Sequence, residues 1–187
     1  ISDTTSTLVL ADDQEANVAF NDAVQLYQQG QYQAAIQSYS KALQMNPNLI
    51  DAYKGRGSSY VQLSNFKSAE SDFEKFFAKK QNSGEAAYLL AYSQYYLDKL
   101  EDAEKNFLKA KSLNHKDVNL YYFLGVIKFN QEKYSEAIEF YNEAIKIDAK
   151  HVFSYNDRAS ANRMLENYDA AISDYSKAIE LDAYNPL

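Results

Sequence analysis

Residues 118–151 read VNLYYFLGVIKFNQEKYSEAIEFYNEAIKIDAKH, and this stretch decides the fold. Its first part sets Tyr121, Leu124, Gly125, Lys128 and Phe129 at i, i+3, i+4, i+7 and i+8, the spacing of one helical face. The polar pair Glu132-Lys133 then interrupts the pattern. From Ser135 to Ile147 the period resumes, with Ala137, Ile138, Tyr141, Ala144 and Ile145 on one stripe. The stretch therefore predicts two short helices joined by a tight turn.

The same pattern runs through the chain five times without a gap, in segments starting at Ala16, Ile50, Gly84, Val118 and Val152. One column reads Ala23, Gly57, Ala91, Gly125, Ala159, and a second reads Ala35, Ala69, Ala103, Ala137, Ala171. A third reads Tyr39, Phe73, Phe107, Tyr141, Tyr175. Repetition at this period means stacked units, each unable to bury its apolar face alone. The expected organisation is a tail over 1–15 followed by units 16–49, 50–83, 84–117, 118–151 and 152–185, in one array that continues or is capped further on. The small columns predict close approach of paired helices, with aromatics such as Phe73 and Tyr141 filling the space between successive units. A Leu at Ala137 would overpack that crossing at about 1–3 kcal/mol. Polar links such as Asn46-Pro47-Asn48, Gln81-Asn82-Ser83 and Asp148 to His151 supply Asn and Ser that can cap the next helix. Asp12 and Glu15 read as a capping box opening the array.

These columns resemble the tetratricopeptide repeat family, whose units are helix–turn–helix. The fifth segment carries the resemblance best, with Tyr155, Arg158-Ala159, Tyr168, Ala171-Ile172, Tyr175, Lys177-Ala178-Ile179 and Leu181-Asp182. The first adds Ala42-Leu43 and Asn46-Pro47. The resemblance implies an all-α fold, a right-handed α-solenoid of tandem repeats, acting as a non-catalytic scaffold for protein–protein interaction. Two departures stand out. Phe76 replaces the small residue found at Ala42, Ala110, Ala144 and Ala178, and Gln81, His115, Ala149 and Ala183 stand where Pro47 stands in the first unit. They predict a second-to-third junction that is splayed or differently packed.

The resemblance also implies a concave groove, lined by the first helices, that holds an extended peptide or a helix. The positions expected to serve it are Tyr88, Tyr92 and Tyr95 in the third unit, Asn119, Tyr122, Val126 and Phe129 in the fourth, and Asn156 and Arg163 in the fifth. Tyrosine suits such a surface, because it offers area and a hydroxyl at low rotamer entropy. A chaperone-tail carboxylate clamp is not expected. The matching positions are Phe20, Val24, Gly55, Glu85 and Leu89, which would leave a carboxylate desolvated without a cation. The rival readings are an accessory module of a larger enzyme or co-chaperone, and a structural subunit of a large assembly.

Composition narrows the partner. A net charge of −7 argues against nucleic acid, whose binding relies on clustered Lys and Arg. A protein or peptide is expected instead. Cysteine is absent, which fits the cytoplasm and equally an exported chain whose leader was removed. No apolar run reaches the roughly 18 residues of a membrane span, so direct insertion is not expected. No catalytic residue, cofactor or metal ligand is expected either. The two histidines, His115 and His151, lie in links and read as solvated surface. Glu136, Glu139 and Glu143 read as an outward solubilising face. Ile172, Tyr175 and Ile179 on the last helix have no following segment to cover them, and Asp182 to Pro186 reads as a link into a sixth unit. Self-association through that helix is therefore a further expectation.

Overall fold

The computed structural model describes the backbone of residues 3–183 and the side chains of residues 13–182. Among the described residues the chain is all-α, without a strand. Its helices are α1 (Asp3–Gln28), α2 (Tyr32–Met45), α3 (Ile50–Gln62), α4 (Phe66–Lys79) and α5 (Gly84–Tyr96), followed by α6 (Leu100–Ser112), α7 (Val118–Asn130), α8 (Tyr134–Ile147), α9 (Val152–Met164) and α10 (Tyr168–Ala183). They pair as helix–turn–helix repeats, which places the chain in the α-solenoid class. Helices α3, α5, α7 and α9 begin at the residues where the aligned segments begin.

One backbone device makes each hairpin. Gly30, Ser64, Asp98, Glu132 and Glu166 occupy the same column, and all five have φ between 56° and 74°. The following N–H reaches back five residues, Gln31 to Leu26, Asn65 to Tyr60, Lys99 to Gln94, Lys133 to Lys128 and Asn167 to Asn162, at 2.9–3.0 Å. A left-handed residue closing a helix with this bond satisfies carbonyls that the helix end would orphan. Glycine adopts that conformation without steric cost; here four of the five turns manage without it.

Three local expectations need correction. Residues 3–15 are not a separate tail: they form the first half of α1. Asp12 consequently lies inside a running helix and is no N-cap; the side chains of Leu8 to Leu10 fall outside the described residues. At the other end Asp182 and Ala183 belong to α10 rather than to a link, and 184–187 lie outside the described residues. The link caps are chemically mixed. Ser83 accepts from the Ala86 N–H at 3.2 Å, Asp117 accepts from Asn119 at 2.8 Å and Leu120 at 3.2 Å, and Leu49, at the N-cap position of α3, offers no side-chain cap.

The chain divides into two compact units, 1–106 and 107–187, with the division inside α6. In the first, Ala23, Ala35, Tyr39, Leu43 and Ala52 form one buried cluster, and Ala69, Phe73 and Leu90 another. In the second, Ala137, Tyr141 and Ala161 form a buried cluster. The aromatic column packs on two sides: Phe73 clusters with Leu90 of the next repeat and Tyr141 with Ala161 of the next, and both also use the small column. A Cβ on Gly57 would stand 2.6 Å from the Phe73 ring, and one on Gly125 would meet Tyr141. Each ring thus lies against the glycine of its own repeat, while Tyr39 packs onto Gly55 of the next. Phe76 is buried, with the Lys54 ammonium of its own repeat 5.9 Å from its ring centroid.

An ionic clasp repeats once in each unit. Arg56 on α3 binds both oxygens of Asp72 on α4 and reaches Ser40 of the preceding repeat at 3.0 Å. Arg158 on α9 does the same with Asp174 on α10 and with Asn142 at 2.6 Å. Bidentate guanidinium–carboxylate pairs are directional and suit partly buried sites.

Candidate functional site

In the first unit, Tyr88, Tyr92, Tyr95 and Tyr96 follow i, i+4, i+7, i+8 along α5 and share one side of it. Phe66, the first residue of α4, stacks on Tyr96 with centroids 4.5 Å apart and planes at 9°. Tyr92 sits 4.8 Å from Tyr96 and 6.2 Å from Tyr88, and Tyr95 meets Tyr96 edge-on at 5.5 Å. Such offset and edge contacts are the favoured geometries for aromatic rings. Tyr88, Tyr92 and Tyr95 are half-buried, and Tyr96 is 46% exposed. Burial, aided by a hydrogen bond with Tyr96, pushes the Tyr92 hydroxyl above the ordinary tyrosine range. The result is a rigid aromatic surface with its outer ring open to solvent. Lys54 and Glu85 pair across α3 and α5 at 3.0 Å.

In the second unit the expected residues separate into two groups. The Tyr122 hydroxyl donates to Asp157 Oδ2 at 3.0 Å, and Asn156 Nδ2 donates to Asp157 Oδ1 at 3.0 Å. Tyr122 also packs edge-on against His151 at 5.2 Å and lies 6.2 Å from Phe153. Phe153 is 65% exposed. Val126 and Phe129 are half-buried and pack, as Tyr122 also does, on the cluster around Tyr141, with Phe129 edge-on to Tyr134 at 5.2 Å. Asn119 is half-buried in the first turn of α7, and Arg163 is exposed in the last turn of α9.

His151 is not the solvated surface residue expected. It is half-buried at the start of α9, its Nδ1 lies 2.7 Å from Ser154 Oγ, and it accepts from the Ser154 N–H at 3.3 Å. Burial lowers its pKa, against the opposing pull of Asp148, Asp157 and Asp117. A neutral ring with a free lone pair is what an N-cap acceptor requires. His115 is half-buried as well. Glu136 takes part in an ion pair with Lys128 at 3.2 Å, so the acidic face of α8 is partly structural.

Phe66 and His151 complete surfaces whose other members share the first-helix columns. Phe66 had a signal of its own, since Tyr32, Phe66, Leu100, Tyr134 and Tyr168 form an apolar column at the start of each second helix. Among the described residues no group of three or more His, Asp or Glu side chains could hold a metal ion, and no helix is long and apolar enough to cross a membrane.

Family models described as TPR repeat or Tetratricopeptide repeat match residues 25–64, 54–114, 118–151 and 154–185. No curated protein matches the sequence. Among solved structures, the chain matches the "Crystal structure of MamA protein" at 24% identity and a TM-score of 0.81, over 91% of this chain and 93% of that one. It matches "MamA 41-end from Desulfovibrio magneticus RS-1" at 17% identity and 0.82, over 92% and 98%. It matches "YrrB: a TPR protein with an unusual peptide-binding site" at 23% and 0.77, over 97% and 93%. At these identities the likeness is one of fold.

Proposed function

We propose, since this chain belongs to the tetratricopeptide repeat family, that it is a non-catalytic scaffold which binds a peptide or helix of a partner protein on the aromatic surfaces of its first helices. The observation that carries this reading is the α5 stripe. Tyr88, Tyr92 and Tyr95 hold one another in place, and Tyr96 presents its ring to solvent on the Phe66 platform. A preorganised aromatic surface costs little entropy on binding, and exposed patches of this kind mark interfaces. The peptide-binding site named for YrrB supports the same use of the fold.

In the second unit, Tyr122, Phe153 and Asn156 around Asp157 form the corresponding surface, with Arg163 as its cation and Asn119 as a further hydrogen-bonding group. A C-terminal carboxylate is not the proposed ligand, because Lys54 is engaged by Glu85 and the flanking positions Gly55 and Leu89 offer no cation. Nucleic acid is not proposed either, given the net charge of −7. Self-association would use the exposed face of α10.

The test is selection of binders from a phage-displayed peptide library on the intact chain, followed by fluorescence anisotropy of the selected peptides. Tyr96→Ala, and separately the double variant Tyr92→Ala with Tyr95→Ala, should each weaken binding at least about tenfold, since a hot-spot aromatic contributes ~2 kcal/mol. Undiminished affinity in variants that keep the wild-type circular dichroism would refute the assignment.

A further inference from the structure

The second unit carries a carboxylate that its surroundings leave without a cation. Asp157 is half-buried on α9, and each of its oxygens accepts one hydrogen bond, Oδ2 from the Tyr122 hydroxyl and Oδ1 from Asn156 Nδ2, both at 3.0 Å. A carboxylate oxygen can accept two, so one position stays open on each. Among the described residues no cation pairs with Asp157. Arg158 beside it is held by Asp174 and Asn142. Burial lowers the His151 pKa against the pull of Asp148, Asp157 and Asp117, so that ring stays neutral at pH 7. Rings border the same place. Phe153 stands four residues before Asp157, on the same face of α9, and is 65% exposed. Tyr122, His151 and Phe153 meet pairwise at 5.2–6.2 Å. Asp51 and Glu85 occupy the column of Phe153 in interior repeats and are exposed as well, so Phe153 is open by its column and not by the place of its repeat in the chain. In the first unit the columns of Tyr122 and Phe153 hold Lys54 and Glu85, which pair with each other; in the second they hold two rings beside a carboxylate.

We propose that this surface receives an arginine side chain of the partner polypeptide, its two parallel N–H groups on Asp157 Oδ1 and Oδ2 and its guanidinium plane against the Phe153 ring. Two open acceptor positions, one on each oxygen of one carboxylate, match the fork of a guanidinium; an ammonium is a point charge without that fork. The chain uses the same fit twice internally, at Arg56–Asp72 and Arg158–Asp174. A guanidinium is also planar and weakly hydrated, so an exposed ring beside the carboxylate adds cation–π attraction to the ionic contact. Charge agrees. The chain carries −7 net, and Asp117 and Asp148 act on the same ring cluster, which draws a basic segment toward it. The inference rests on the reading that the second-unit surface binds a partner polypeptide, and names the side chain it reads. The α5 stripe takes no part in it.

The test titrates the intact isotope-labelled chain with the tripeptide acetyl-Gly-Arg-Gly-amide and reads backbone amide shifts by NMR. The lysine and citrulline tripeptides and free L-arginine serve as comparisons, citrulline having the shape of arginine without its charge. The arginine tripeptide should give saturable shifts centred on Phe153, Asn156 and Asp157. The lysine tripeptide should bind more weakly, and the citrulline one at least tenfold more weakly. Asp157→Asn, which keeps an acceptor for the Tyr122 hydroxyl, should cost the arginine tripeptide about tenfold, and Phe153→Ala about threefold. Glu139→Gln removes an equal charge from an exposed position on α8 and should leave the affinity unchanged. Circular dichroism checks that each variant keeps the fold. Shifts that bypass α9, or lysine bound as tightly as arginine, would overturn the proposal. So would an equal loss in Glu139→Gln, which means general attraction, or free L-arginine bound more tightly than the tripeptide, which means a small-molecule site. An intact arginine response beside undiminished peptide affinity in Tyr92→Ala with Tyr95→Ala counts against the α5 reading alone; the converse pair of results counts against the arginine site alone.

Discussion

Arg56 holds Asp72 through two parallel hydrogen bonds, Nε to Oδ2 at 2.7 Å and Nη2 to Oδ1 at 2.8 Å, and Asp72 is almost completely buried. The hydrogen bond to Asp72 raises the Arg56 pKa further, so the guanidinium stays charged at any ordinary pH. Removing one partner of such a pair strands the other charge away from water. Arg56→Ala is expected to cost about 3–5 kcal/mol, measured by urea unfolding. The fourth repeat carries Leu124 and Phe140 at the same two positions. Arg56→Leu combined with Asp72→Phe should accordingly lose less than Arg56→Ala alone, since no ion is left unpaired.

The left-handed turn residues offer stability that the chain does not use. Glu132 and Glu166 hold φ of 60° and 61° with a full side chain. An L-residue there carries a strain of roughly 1–2 kcal/mol relative to the right-handed region, which glycine escapes. Glu132→Gly and Glu166→Gly should each stabilise by about 1 kcal/mol, or raise Tm by about 2–4 °C. Gly30→Ala, at φ 74° in the same column, should do the reverse. Differential scanning calorimetry of the three variants reads both signs.

His151 predicts a pH dependence. Burial depresses its folded pKa below the unfolded value of about 6.5. The unfolded chain therefore binds the proton more readily, and stability falls as pH drops through the unfolded pKa toward the folded one. The contribution is fully present above that window. His151→Asn keeps an N-cap acceptor without a titrating ring. Unfolding free energies of wild type and His151→Asn, measured at pH 7.5 and at successively lower pH, should differ progressively. Parallel curves would show that His151 does not titrate with folding.

Helix identity and register were legible because the apolar period and the unbroken repeat act in every unit. Ile50, Gly84, Val118 and Val152 open helices for that reason. The turns were legible as positions but not as mechanism. Ser64, Asp98, Glu132 and Glu166 share no chemistry, and a backbone hydrogen bond sets their conformation. Residues 3–15 read as a tail because nothing repeats there, although helix α1 runs through them. The aromatic surfaces were half legible. Tyr88, Tyr92 and Tyr95 follow from helical spacing on α5, whereas Phe66 comes from α4 and needs the fold to reach Tyr96. The Tyr122–Asp157 bond joins different repeats through a side-chain geometry that spacing alone does not encode.

The chain holds 17 tyrosines and no tryptophan, so the long-wavelength edge of its near-ultraviolet absorbance comes from phenol groups. Alkali ionises solvent-facing phenols first. Tyr39 and Tyr92, both raised by burial, follow later. The tail of a spectrophotometric titration is therefore an intrinsic gauge of whether α2 and α5 are still seated, readable without a label in any sample of the molecule.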